Sequence, residues 1–318
     1  MVAPIQGIIR NALKKPSDKC NILSIMHDGF FEKLLAQTKH NFFALVNEQP
    51  NWLTQTIDSI DNLKLCQSTK DVPNHVSIDA VLCNNRIKFF DQAKILSRLS
   101  HAPLIVIDHM DISGLKPEDI FLINKNTGNF QICASNVFGQ IANINYTDII
   151  PYGVEIPESV IPIQDRPYPI VILGDYGREQ QLLSILKNQF GALVINNENH
   201  PRTFSEISNI VSNSKIYLNL SSDANISIPT LKAMSQGCVV INNQLNPLSR
   251  ILNGTNGIVY DSSQNLLTYI QQLLSNQHQL QIMSSSAVET IRIQFNQQRF
   301  INQWDLIFSQ LTNVVYKL

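Results

Sequence analysis

Short apolar runs alternate with amphipathic stretches from one end of the chain to the other. That alternation predicts strands and helices laid down in turn, hence an α/β protein with parallel sheets. The first half opens with a strand over Asn21–Met26, the loop His27-Asp28-Gly29 and a helix over about Phe30–Gln37. Strands follow at Asn41–Val46 and Ile78–Cys83. The next helix, Phe90–Leu99, spaces its apolar residues by three and four. Leu104–Ile107 is a fully apolar strand ending at Asp108-His109, and strands at Phe130–Ala134 and Asp148–Ile150 complete this half.

Two prolines and a glycine then interrupt the pattern at Pro151-Tyr152-Gly153-Val154-Glu155-Ile156-Pro157, before a proline-rich stretch from Pro162 to Pro169. A domain boundary is expected there. The second half repeats the alternation: strands at Ile170–Leu173, Ala192–Ile195, Lys215–Leu220 and Gly257–Tyr260, with helices at Gln180–Asn188 and Phe204–Ser212. Between Ile226 and Ile241 the chain reads as a polar loop, a short helix, a glycine stop at Gly237 and a β-branched strand. Helices near Leu266–Leu274, Gln279–Ile293 and Phe300–Leu311 close the chain. The last carries Phe300, Trp304, Phe308 and Leu311 on one face, the pattern of core packing.

A length of 318 residues leaves room for two domains with separate cores. The net charge is −1, so no global field draws the chain to nucleic acid or to an acidic membrane. Five scattered cysteines with no C-x-x-C pair fit reduced, buried thiols and neither a disulfide framework nor a zinc site. No apolar run is long enough for a membrane span and no secretory core opens the chain, so a cytoplasmic protein is expected.

The candidate chemistry lies at strand ends. Ser227, Ile228 and Thr230 begin a helix, where unpaired amides and the positive dipole end suit a diphosphate. Ser227 and Thr230 also read as plain helix caps. Gly174-x-x-Gly177-Arg178 follows a strand, and Arg178 could meet a diphosphate in bidentate fashion or be an ordinary surface arginine. His109 and Asp108 end a strand, the edge at which open α/β sheets hold ligands. Asp108 could take a proton from a hydroxyl or cap a turn. His27, Asp28 and Gly29 form a loop that allows close backbone approach, or an Asx turn opening a helix. Asn84, Asn85 and Arg86 could hydrogen-bond hydroxyls or remain solvated.

The order of these segments resembles glycosyltransferases of the GT-B type. Asp79–Arg86 and Ala102–His109 look like the acceptor-side domain. Ile150-Pro151-Tyr152-Gly153-Val154 is similar to the interdomain crossover, usually Ile-Pro-Asn-Gly-Val. Ile170–Gly174 with Arg178, and then Ile226–Ile241, look like the donor-binding segments. The run Lys215–Leu220 and the loop to Asn225 are closest to the spore-maturation-like branch of the group 1 family. The resemblance implies two Rossmann-like, doubly wound domains facing across a cleft: an acceptor-side domain over 1–155, a donor domain over 156–298, and a C-terminal helix over 299–318 packing back on the first. It implies sugar transfer from a nucleotide diphosphate sugar, as co-substrate, to a hydroxyl acceptor, with no other cofactor. The helix dipole and Arg178 would stabilise the leaving group, and the absence of a D-x-D tripeptide agrees with metal independence.

By the same resemblance His109 touches the transferred sugar, His27, Asp28, Gly29, Asn85 and Arg86 face the acceptor, and Gly174, His200, Asn225 and Lys232 join the donor site. The sequence departs from the family at three positions. Two glutamates eight residues apart are replaced by Ala224 and Lys232, and a lysine by Leu183. Lys232 offers no acceptor for ribose hydroxyls and would instead counter phosphate charge. A non-catalytic homologue that binds a sugar nucleotide or a protein partner therefore stands as an alternative. An NAD-dependent dehydrogenase shares the strand pattern but lacks the glycine triplet.

Overall fold

The structure is a computed structural model that describes residues 19–26, 29–46, 60–109, 116–134, 146–174, 176, 179–196, 204–222 and 226–311. Internal contacts divide the chain into two units, one of Met1–Gly153 with Gln297–Leu318 and one of Val154–Asn296.

The first unit is built on a seven-stranded sheet whose paired strands all run parallel. The strands are β1 (Asn21–Ile25), β2 (Asn41–Leu45), β3 (Leu63–Cys66), β4 (Ala80–Cys83), β5 (Leu104–Asp108), β6 (Phe130–Cys133) and β7 (Asp148–Ile149). Their order is β3-β2-β1-β4-β5-β6-β7. β1, β4 and β5 are buried at every position. That is why they read as continuous apolar runs rather than alternating ones. The intervening helices are α1 (Gly29–Leu35), α2 (Phe90–Ser100) and α3 (Pro117–Lys125). α2 buries Phe90, Ala93 and Ser97 and ends at His101, whose φ of 51° closes the helix in the left-handed conformation. Leu23, Ile25, Phe43, Val81, Cys83, Phe90 and Val106 belong to one core cluster.

The second unit carries a five-stranded parallel sheet of order β12-β11-β10-β8-β9. Its strands are β8 (Tyr168–Leu173), β9 (Leu193–Ile195), β10 (Ser214–Asn219), β11 (Val239–Asn243) and β12 (Ile258–Tyr260). α4 (Gln180–Phe190), α5 (Phe204–Ser212), α6 (Ile228–Ser235), α7 (Ser263–Ser275) and α8 (Gln277–Gln294) surround it in sequence. Ile170, Ile172, Leu186, Ile216, Leu218, Val239, Ile241, Leu266 and Ile270 belong to its core cluster.

The last helix, α9 (Gln297–Gln310), belongs to the first unit. Phe300, Trp304, Phe308 and, just beyond the helix, Leu311 are buried. Trp304 meets the Phe31 ring edge-on, and Phe308 does the same to His40 and Phe42. Gly153 makes this docking possible. A Cβ there would stand 2.4 Å from Phe300 Cβ and 2.9 Å from Gln297 Cα.

Candidate functional site

Parallel sheets of this kind hold ligands beyond the carboxyl ends of their strands, where the strand order reverses. In the second unit that point lies between β8 and β10. β8 ends at Leu173, and Gly174 follows with φ +129°, a conformation that L side chains rarely adopt. Its amide donates to Ile195 O at 3.0 Å, tying the loop to β9. Tyr176 folds back and donates its hydroxyl to Leu173 O at 3.0 Å.

After β10, the chain enters α6 through Ser227. The serine is the N-cap, accepting from the Thr230 amide at 3.4 Å, while its carbonyl takes the Leu231 amide at 3.1 Å. Pro229 occupies the first turn and has no N–H. Of the three first-turn positions, only the Ile228 amide is left without an acceptor among the described residues. Tyr217 of β10 is buried beneath this turn. Its hydroxyl lies beside those of Thr230 and Ser227, and burial holds its pKa well above the ordinary phenol value. The Thr230 hydroxyl is fully buried against the Tyr217 hydroxyl. Ser227, Ile228, Thr230 and Gly174 are thus brought to one edge, where Tyr176 and Tyr217 join them. Lys232 sits half-buried one turn further along α6. On β10 and β11, Asn219 and Asn242 are partners in register, and Asn219 Nδ2 donates to Asn242 Oδ1 at 2.7 Å.

In the first unit the order reverses between β1 and β4. There a buried polar network joins three strand ends. Asn84, just after β4, donates its amide group to Ile25 O at 2.8 Å, Ser24 Oγ at 2.9 Å and Glu32 Oε1 at 3.2 Å. Those three acceptors fix the amide's orientation, so its oxygen faces His109 Nε2 at 3.3 Å. Nε2 therefore carries the proton, and Nδ1 accepts from the Tyr152 hydroxyl at 2.8 Å. The Phe31 ring packs edge-on against the imidazole with centroids 4.5 Å apart, and Tyr152 lies parallel to it. His109 is buried with both ring nitrogens engaged, so a direct contact with a sugar does not follow from this arrangement.

Asp108 and Arg86 form a second buried pair. Arg86 Nε donates to Asp108 Oδ1 at 2.8 Å, Nη2 donates to Oδ2, and Tyr146 donates to Oδ2 at 2.7 Å. Arg86 Nη1 reaches Ile123 O at 3.0 Å and Gln131 Oε1 at 3.0 Å, closing the end of α3 against the sheet. Burial disfavours the guanidinium's charge, but the hydrogen bonds and charge of Asp108 outweigh that and raise its pKa. Asp108 has both oxygens committed and is not placed as a free base, and Arg86 spends its donors inside the fold rather than on an acceptor. Asn85 is half-buried and accepts the Lys88 amide at 3.0 Å, as a turn residue does. Gly29 opens α1.

His27, Asp28, Arg178, His200, Ala224 and Asn225 lie outside the described residues. Sequence reasoning missed Tyr176, Tyr217, Glu32 and Tyr152. Tyr152 carried a signal, since it stands where the crossover motif usually has asparagine. Among the described residues no three His, Cys, Asp or Glu side chains group as metal ligands, and no helix is long and apolar enough to cross a membrane.

Residues 163–305, a little under half of the chain, match the family model described as glycosyl transferase-like. No curated protein sequence matches the chain. Among solved structures, sucrose-phosphate synthase from Thermosynechococcus elongatus superposes with a TM-score of 0.66 at 11% identity, covering 93% of this chain and 100% of that one. Anabaena HepE in complex with UDP-glucose gives a TM-score of 0.67 at 15% identity, over 91% of this chain and 99% of that one. The fold is GT-B. The lipopolysaccharide outer core galactosyltransferase WaaB, in its apo form, gives a TM-score of 0.56 at 15% identity over 92% and 100%. The neighbours of this GT-B chain are glycosyltransferases, and they do not single out the spore-maturation-like branch.

Proposed function

We propose that this GT-B chain is a glycosyltransferase that moves a hexosyl or pentosyl group from a nucleotide diphosphate sugar to a hydroxyl acceptor, without a metal. One observation carries the reading: the first turn of α6 stands at the switch point of the second sheet, with its Ile228 amide unspent among the described residues. The donor diphosphate would rest there, against Ile228 and the hydroxyls of Ser227 and Thr230. Gly174 lets the backbone after β8 approach the phosphates closely, and Arg178 and Lys232 supply positive charge to the leaving group. His200 and Asn225 complete the donor site on the nucleoside side.

HepE, solved with UDP-glucose, supports a nucleotide sugar as donor. In the first unit His27, Asp28, Gly29 and Asn85 face the acceptor. His109 acts through its links to Asn84 and Tyr152, while Asp108 holds Arg86. The five cysteines are buried and form no disulfide, which supports a reducing compartment.

A second reading has a specific observation behind it. Ala224 and Lys232 replace both glutamates of the family pattern, which favours a homologue that binds the donor without turnover. A panel of UDP-, GDP- and TDP-sugars read by thermal shift separates donor binding from its absence. Ligand at a hundred times its Kd stabilises the fold by about 2.7 kcal/mol. Release of the nucleoside diphosphate, with and without EDTA, then decides between transferase and binding homologue. Turnover that survives EDTA supports the proposal. Binding without turnover supports the rival, and loss of turnover on chelation refutes metal independence.

A further inference from the structure

Arg166 lies at the far end of the helix assigned to the donor. It is 2% exposed, and its donors go to carbonyl oxygens: Nε to Ile161 O at 3.0 Å, Nη1 to Ser214 O at 2.8 Å, and Nη2 to Ile161 O at 2.8 Å and Gln236 O at 2.6 Å. Among the described residues no carboxylate pairs with it. Its remaining neighbour, Cys238 Sγ at 3.5 Å, is a thiol that burial pushes up to about 12, so it supplies no counter-charge at neutral pH. A buried cation without an anion is costly, and an arginine does not escape the cost by losing its proton.

The dipoles that compensate it include the negative pole of α6. Gln236 is that helix's C-cap, and Gly237, at φ +76°, closes a Schellman turn with Gly237 N on Met234 O and Cys238 N on Ala233 O. Gln236 O projects past this turn onto Arg166.

We propose that Arg166 is an electrostatic positioning residue for the donor diphosphate: its charge outweighs the negative pole of α6, so that both ends of the helix favour a phosphate at Ser227–Ile228. The proposal rests on the donor reading above. A helix pole carries roughly half a charge, so a full positive charge at the C-terminal end turns about −0.5 into about +0.5. Eight residues span about 12 Å, which places the guanidinium roughly 15 Å from a phosphate at the other end. At that distance, with an effective dielectric between those of a protein surface and water, one charge changes affinity about twofold per unit of ligand charge.

The test is a charge ladder of uridine, UMP and UDP, titrated by calorimetry into the wild-type chain and into Arg166→Met, Arg166→Gln and Arg166→Lys, with melting curves to confirm folding. Arg166→Gln keeps hydrogen bonds to the carbonyls without the charge, and serves if the methionine variant does not fold. The expected result is unchanged affinity for uridine, about a threefold to fourfold loss for UMP and about a sixfold to eightfold loss for UDP in the neutral variants, with Arg166→Lys close to wild type. Equal losses along the ladder, not rescued by lysine, would mean a merely structural role and overturn the proposal. Wild-type binding of UDP with neutral variants unchanged overturns it while leaving the donor reading intact. A wild-type chain that binds no member of the ladder overturns both.

Discussion

Replacing Asp108 by Asn separates the two roles that a strand-end carboxylate can have. In the wild-type chain Asp108 accepts two bonds from Arg86 and one from Tyr146, and both ionic partners are buried. Asparagine keeps the shape but removes the negative charge and turns one acceptor into a donor facing the guanidinium. Arg86 is left as a buried cation held only by Ile123 O, Asn126 O and Gln131 Oε1. Breaking such a pair from one side costs about 3–5 kcal/mol. For a unit of this size that lowers the melting temperature by about 6–20 °C. Circular dichroism melts of Asp108→Asn, Arg86→Met and the double variant Arg86→Met/Asp108→Leu test it. The double variant should cost clearly less than the two single costs added together, because the partners are coupled. A base toward the acceptor behaves otherwise: activity falls by about 10²–10⁴ with the melting curve unmoved. That outcome would refute the structural assignment of Asp108.

Two further perturbations probe the fold around the sites. Gly153→Ala should loosen the docking of α9, since the added Cβ falls 2.4 Å from Phe300 Cβ and 2.9 Å from a backbone atom. A loss of about 1–3 kcal/mol or more in urea denaturation is expected, and wild-type stability would contradict the packing described. Burial pushes the thiols of Cys83 and Cys238 up to about 12. Between the ordinary thiol range and pH 12 the unfolded chain has lost these protons and the folded chain retains them. Stability should therefore fall as pH rises from about 9 to 12 and be insensitive to these groups below that range. Native-state alkylation at pH 8 should leave both cysteines unmodified, and rapid labelling of either would contradict their burial.

The fold was largely legible because parallel strands buried on both faces leave continuous apolar runs. β1, β4, β5 and β8 announce themselves in this way. β3 escaped notice because it is four residues long at the sheet's edge, with Lys64 and Leu65 exposed and only Leu63 and Cys66 buried. α3 was also overlooked, although Pro117 at its start followed by Glu118 and Asp119 is a readable helix beginning. The switch-point edge of the second sheet could be placed from Gly174 and the Ser227 cap, since both are local signals.

The pairing of Arg86 with Asp108 could not be read in the same way. Twenty-two residues separate them, and only the adjacency of β4 and β5 brings them together. The same holds for Tyr152 on His109, 43 residues apart. Local patterns locate a strand end, whereas the partner that consumes its polar groups is set by topology.

The central claim places a diphosphate on the first turn of α6, and the Ile228 amide reports on it directly. With the chain labelled with ¹⁵N, titration with UDP should move the Ile228 amide proton downfield as it acquires a phosphate acceptor, and uridine at equal saturation should leave it in place. An Ile228 resonance that ignores UDP while the ligand binds elsewhere would contradict the account.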